Sequence, residues 1–115
     1  MAECIGPAAN YFALTVASKG SLGSALPVPP MESRLREKTE QYEDMLAAAL
    51  ANVRCDETDR QAAEEVLEMA QAYLADGRYF WQHDDPVNAL AAYSYGHGWI
   101  DAGIRCGVLS VNRVQ

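Results

Sequence analysis

The chain has 115 residues, nine Lys plus Arg against sixteen Asp plus Glu, and half of its residues apolar, which fits one domain with a single core that needs no disulfide or metal. A formal net charge of −7 argues against nucleic acid and anionic membrane as partners, since both require clustered Lys and Arg to displace counterions. Cys4, Cys55 and Cys106 lie far apart with no CxxC pair, so they indicate neither a disulfide framework nor a zinc knuckle and suit a reducing cytoplasm.

Residues 1–30 carry only Glu3 and Lys19 as charges and end in Gly20, Gly23, Pro27, Pro29 and Pro30, the punctuation of a poorly ordered extension. The apolar run at 11–17 is short and follows Glu3 rather than basic residues, unlike a signal peptide. No run approaches the roughly 20 apolar residues of a membrane span. Residues 31–115 hold the remaining eight bases and fifteen acids. Met31-Glu-Ser-Arg-Leu-Arg-Glu-Lys reads like the beginning of a protein. Two readings follow, a misplaced start or a genuine tail, and the intact mass of the native protein separates them.

The first helical segment places Leu35, Thr39, Tyr42, Leu46, Ala49 and Val53 on one stripe from about 32 to 54, with Arg36, Glu37, Glu40, Glu43 and Asp44 opposite. In the second, Ala63, Val66, Ala70, Tyr73, Gly77 and Phe80 keep the same spacing. Asp56 or Thr58 caps its start, and Thr58 with Gln61 would form a capping box. Running to 83, this helix would be about 40 Å long, with Gly77 its weak point by about 1 kcal/mol relative to Ala. The third opens on Asp85 as cap and Pro86 at the first helical position, and runs to about 106 with Gly107 as a left-handed stop. Short turns near 55–57 and 84–85 make neighbouring helices antiparallel. The expected fold is all-α, an up-down-up three-helix bundle at 31–115, and no alternating β-branched run suggests a sheet.

The third segment combines large rings with glycines. Gly96, Gly103 and Gly107 lie near one face, where they permit close helix packing or a groove or subunit contact. Tyr93, His97 and Asp101 follow at four-residue steps, the components of a proton relay and equally of a buried hydrogen-bond network. Burial would lower the pKa of His97 and a neighbouring Asp101 would raise it. His83, Asp84 and Asp85 are contiguous, but no Glu-x-x-His or His-x-x-x-His pair is present, so no metal is expected and the two acids are read as a helix-terminal turn. Glu64, Glu65 and Glu68 read as an exposed face of the second helix.

Tyr79, Phe80 and Trp81 cannot all point inward, because consecutive helical residues are about 100° apart. Phe80 and Trp81, joined by Trp99, therefore form a candidate interaction surface, unless the extension covers it with Tyr11, Phe12 and Leu14. GxGxxG, P-loop and GxSxG motifs are absent. No cofactor is expected, and a bundle of about 85 residues leaves little room for a ligand pocket of several hundred Å³.

Tyr73-Leu-Ala-Asp-Gly-Arg-Tyr-Phe, the acidic turn Asp84-Asp85, and Asn88-Ala-Leu-Ala-Ala-Tyr-Ser-Tyr-Gly-His-Gly-Trp-Ile-Asp-Ala-Gly resemble a family of small archaeal helical proteins, domain of unknown function 357. The resemblance covers about residues 32–109, strongest in the third helix, and implies a compact three-helix bundle but no reaction. It departs at Gly77, where the family pattern favours alanine, which puts the continuity of the second helix in question. Carried over position by position, the polar signature is Tyr73, Asp76, Tyr93, His97 and Asp101, expected to gather between the second and third helices.

These readings point to a cytoplasmic, non-enzymatic module for protein interaction or self-assembly, through a protein partner or a homo-oligomer. The alternative is a small enzyme or metabolite-binding protein using Tyr93, His97 and Asp101 with Asp76 assisting. The module needs exposed rings, and the enzyme needs a concave pocket open to its polar cluster. Were Asp101 to satisfy a buried donor, its replacement by Ala would cost about 1 to 3 kcal/mol.

Overall fold

The spacing of the first segment closes as helix α1 (Met31–Ala51) in the computed structural model of the chain, which describes residues 30–112. Pro30 apart, the expected extension lies outside the described residues. Thr39 and Leu46 on the α1 stripe are fully buried, with Tyr42 and Ala49 packed against the same core. The Thr39 hydroxyl donates to the Leu35 carbonyl at 2.7 Å and lies 3.3 Å from that of Pro86, so a polar side chain in the core is satisfied.

The helix ends at Ala51, before the expected 54, because the chain turns out at Asn52 into strand β1 (Val53–Cys55). This strand pairs antiparallel with β2 (Leu109–Val111), in the register Val53 to Val111, Arg54 to Ser110 and Cys55 to Leu109. The two-stranded ribbon corrects the expectation of no sheet. Three residues are too few to display an alternating pattern, and the pairing partners are more than fifty positions apart in sequence. The backbone N–H of Asp56 donates to the Val108 carbonyl at 2.9 Å and extends the ribbon toward the next helix.

A short 3-10 turn (Glu57–Asp59) leads into α2 (Arg60–Gln82). The capping box expected from Thr58 and Gln61 does not form. The Thr58 hydroxyl and N–H both donate to Asp56, at 2.6 and 3.0 Å, and Asp59 caps α2 by accepting from the Ala62 N–H at 3.0 Å. These Thr58 bonds, with a further one from the Ser110 hydroxyl, hold the Asp56 carboxyl below its usual pKa.

Helix α2 runs unbroken through Gly77. Its last carbonyls are closed by the amides of Asp84 and Asp85, which donate to Trp81 at 3.1 Å and Phe80 at 2.9 Å. This places Asp84 in the left-handed region, φ 60°, where Asn and Asp are the least strained residues after glycine. Arg36 of α1 pairs with its carboxylate.

Asp85 caps α3 (Pro86–Arg105), accepting from the Asn88 N–H at 3.1 Å and its side-chain amide at 2.7 Å. The helix stops as expected at Gly107, φ 83°, with the Val108 amide returning to the Gly103 carbonyl at 3.0 Å.

Helix α3 is the central element. Thr39 meets Pro86, and Leu46 lies against Gly96, so α1 runs parallel to α3. Gly77 faces Tyr93, Tyr73 and Ala70 face Gly96, and Val66 faces Gly103, so α2 runs antiparallel. The arrangement is an up-down-up three-helix bundle. A methyl at Gly96 would stand 2.7 Å from Leu46 Cδ2, and one at Gly103 2.8 Å from Leu109 Cδ1, so both glycines admit a neighbour that alanine would push away. A methyl at Gly107 would meet nothing within 4 Å among the described residues, and the part of this glycine is the left-handed turn rather than close packing. No helix among the described residues is long and apolar enough to cross a membrane.

Candidate functional site

Helices α1 and α3 enclose a groove of about 610 Å³ on a side that no residue of α2 lines. Its apolar lining is Met45, Ala48 and Ala49 from α1, Ile100 and Ile104 from α3, and Val53 and Val111 from the ribbon. Ala48 and Ala49 end at Cβ, which leaves space between two parallel helices that longer side chains would fill. The pairings of Thr39 with Pro86 and Leu46 with Gly96 fix the level of each polar lining residue. Gln41 and Asp44 stand toward the end near Pro86, His97 is central, and Asn52 and Asp101 stand toward the ribbon.

His97 is half-buried, and burial pushes its pKa below 6.5 while Asp101 pulls it part of the way back. The imidazole is therefore neutral at neutral pH. Since the unfolded chain binds this proton more tightly than the folded one, stability is present above pH 6.5 and is lost as pH falls from there through the folded pKa. The thermal midpoint is expected to drop between about pH 7.5 and 5, and to drop less in His97→Gln. Equal drops in both proteins would place the proton uptake elsewhere.

Asp101 serves Arg105 one turn later, whose Nε donates to it at 3.2 Å. Both side chains are about a third exposed, so the pair contributes like other i,i+4 pairs. Asp101→Ala is expected to cost about 0.5 kcal/mol or less by urea denaturation, instead of the 1 to 3 kcal/mol of an orphaned buried donor. A loss above about 1 kcal/mol would show that the carboxylate satisfies a buried group.

The other members of the polar signature lie elsewhere. Tyr93 is buried against Gly77 at the α2–α3 interface, and burial pushes its phenol up to about 12. Tyr73 is half-buried and stacks on the exposed Tyr95, ring centroids 5.7 Å apart, and Asp76 is exposed. Only His97 and Asp101 share the groove. Each four-residue step rotates a helical position by about 40°, so the two steps from Tyr93 to Asp101 turn about 80°, from the α2 side of α3 to the α1 side.

The aromatic residues also divide. Phe80 and Trp81 are half-buried against the core, and the Arg36 guanidinium lies 5.6 Å from the Trp81 ring. The outward ring is Tyr79, 57% exposed and stacked on His83 at 4.1 Å. Trp99 is 38% exposed, but the Gly96 and Gly103 contacts set it level with 66–70 of α2, about 15 to 21 Å along the helix from Phe80. Phe80, Trp81 and Trp99 thus do not meet in one patch. Among the described residues no three His, Cys, Asp or Glu side chains gather in a metal-binding group.

The family model for a protein of unknown function, DUF357, matches residues 41–109, more than half of the chain. The chain belongs to DUF357. The matched span begins at Gln41 and takes in all of the groove lining except Val111. Protein AF1782 from Archaeoglobus fulgidus, a DUF357 crystal structure, aligns with this DUF357 chain at a TM-score of 0.63 and 23% identity, over 72% of this chain and 100% of its own. At that identity the likeness establishes the fold. No curated protein matches the chain.

Proposed function

We propose that this DUF357 chain is a non-enzymatic small-molecule-binding protein with the α1–α3 groove as its site. The volume of the groove carries the reading: about 610 Å³ lies inside the range of small-ligand sites, on a bundle whose length argued for little room. Its composition agrees, since an apolar lining with a few polar groups is the usual make-up of such a site. Asp101 directs its carboxylate to Arg105, which favours binding over a His–Asp relay. The test is a fragment screen by amide NMR, with shifts expected at groove residues and abolished by Ala48→Trp, which fills the space. Hits that scatter over the surface, or that persist in the filled variant, would overturn the assignment.

Gly98 favours a second reading, a protein contact on the outward face of α3. Among the described residues a Cβ there would meet nothing within 4 Å, so this mid-helix glycine costs about 1 kcal/mol with no packing among those residues to explain it. Tyr95, 66% exposed, and Trp99 flank it. Sedimentation velocity tests the homo-oligomeric form: concentration-dependent association that Trp99→Ala abolishes would support it, and a monomer at every concentration would exclude it.

A further inference from the structure

The charges around the groove select among ligands. Among the described residues no Lys or Arg lines it, and the two charged lining residues are carboxylates, Asp44 and Asp101. Asp101 is engaged by Arg105, whereas Arg36, Arg60 and Arg78 pair with acids other than Asp44, and no ion pair is found at Asp44 among the described residues. One turn earlier on α1, Gln41 holds its side-chain oxygen buried without a hydrogen-bond partner among the described residues. That oxygen is an acceptor lacking a donor, and its terminal torsion is broad enough to turn it toward one.

We propose that the ligand is an apolar amine, its hydrocarbon body lying along Met45, Ala48 and Ile104 and its ammonium group beside Asp44. This rests on the groove being a binding site. An ammonium offers three donors and no acceptor, which suits a carboxylate and an amide oxygen one turn apart. A carboxylic acid of the same shape would set its head group against a negative rim on a protein of net charge −7. Neutral His97 at mid-groove opposes neither the apolar body nor the cation. From Gln41 to Asn52 the α1 wall measures about 17 Å, which bounds the length of the body.

The probes are 4-phenylbutylamine, 4-phenylbutanol and 4-phenylbutyrate, titrated to about 10 mM into the full chain with backbone amides followed by NMR. All three share one apolar body and differ only in the head group. The amine is expected to bind about fivefold more tightly than the alcohol at low salt, the acid more weakly than either, with the margin shrinking as salt is added, because Asp44 is solvent-exposed. Asp44→Asn, an exposed and isosteric change, should remove most of the amine's margin over the alcohol. An acid that binds as tightly as the amine, or an amine preference that largely survives Asp44→Asn, overturns the ligand class while leaving the groove as a binding site. Failure of all three probes to move groove amides overturns the site itself, and this inference with it.

Discussion

Gly77→Ala is expected to destabilise the domain by about 2 kcal/mol, although alanine is the better helix former by about 1 kcal/mol. A methyl at this position would fall on the Tyr93 ring, 2.7 Å from Cζ and nearer still to Cε1. The ring cannot yield as a long exposed side chain would, because Tyr93 is 1% exposed and is among the largest fully buried side chains of the core. Its displacement is an overpacking strain of typically 1 to 3 kcal/mol, with separation of α2 from α3 as the alternative. Propensity and packing therefore oppose each other at one atom, and packing outweighs propensity. A double-mutant cycle isolates the packing strain: with Tyr93→Leu in the background, Gly77→Ala should become neutral or stabilising by up to about 1 kcal/mol, a reversal of sign. Destabilisation of the same size in both backgrounds would mean that the glycine serves something other than the ring. The family pattern that favours alanine here questioned the continuity of the helix, yet α2 is unbroken and the glycine is the seat of a tyrosine.

What was legible in the sequence is what depends on neighbours in the sequence. Asp85, Pro86 and Gly107 act through hydrogen bonds and backbone angles within a few residues, so residue type alone marks both ends of α3. The stripe through Thr39, Tyr42, Leu46 and Ala49 is a helical period and holds within α1, whereas Val53 at its end passes into the ribbon. Spacing does not tell which neighbour a stripe will face. Tyr93, His97 and Asp101 read as one ladder, but Tyr93 packs on α2 whereas His97 and Asp101 line a space beside α1. The groove has no local signal, because its walls are about fifty positions apart in sequence and its volume comes from what Ala48 and Ala49 lack. Phe80 and Trp81 show the same limit: a helix end cannot bury three consecutive rings, but the sequence does not say that Tyr79 is the one left outside.

Leu46→Ala carries the other large expected effect, about 3 to 4 kcal/mol, a substantial share of the 5 to 15 kcal/mol that holds a domain folded. Leu46 has no exposed surface, and its Cδ2 occupies the space that Gly96 leaves open on α3. The cost of a large-to-small change depends on how far the surroundings can collapse into the void. On the α3 side the site is faced by Gly96, with Ala70 and Tyr73 beside that glycine. Glycine and alanine have no side chain to extend into it, and Tyr73 is held by stacking on Tyr95. The cavity should therefore persist, which sets the expectation in the middle of the usual 2 to 5 kcal/mol. Location adds a second consequence. Helix α1 packs mainly on α3 and only slightly on α2, so Leu46 is one of a small number of side chains that hold it on the bundle. Its loss should raise hydrogen exchange in α1 before that of α2 and α3, beyond the general rise from lower stability. Urea denaturation gives the magnitude and residue-resolved exchange gives the order. A cost below about 2 kcal/mol would mean that the surroundings collapse into the void after all.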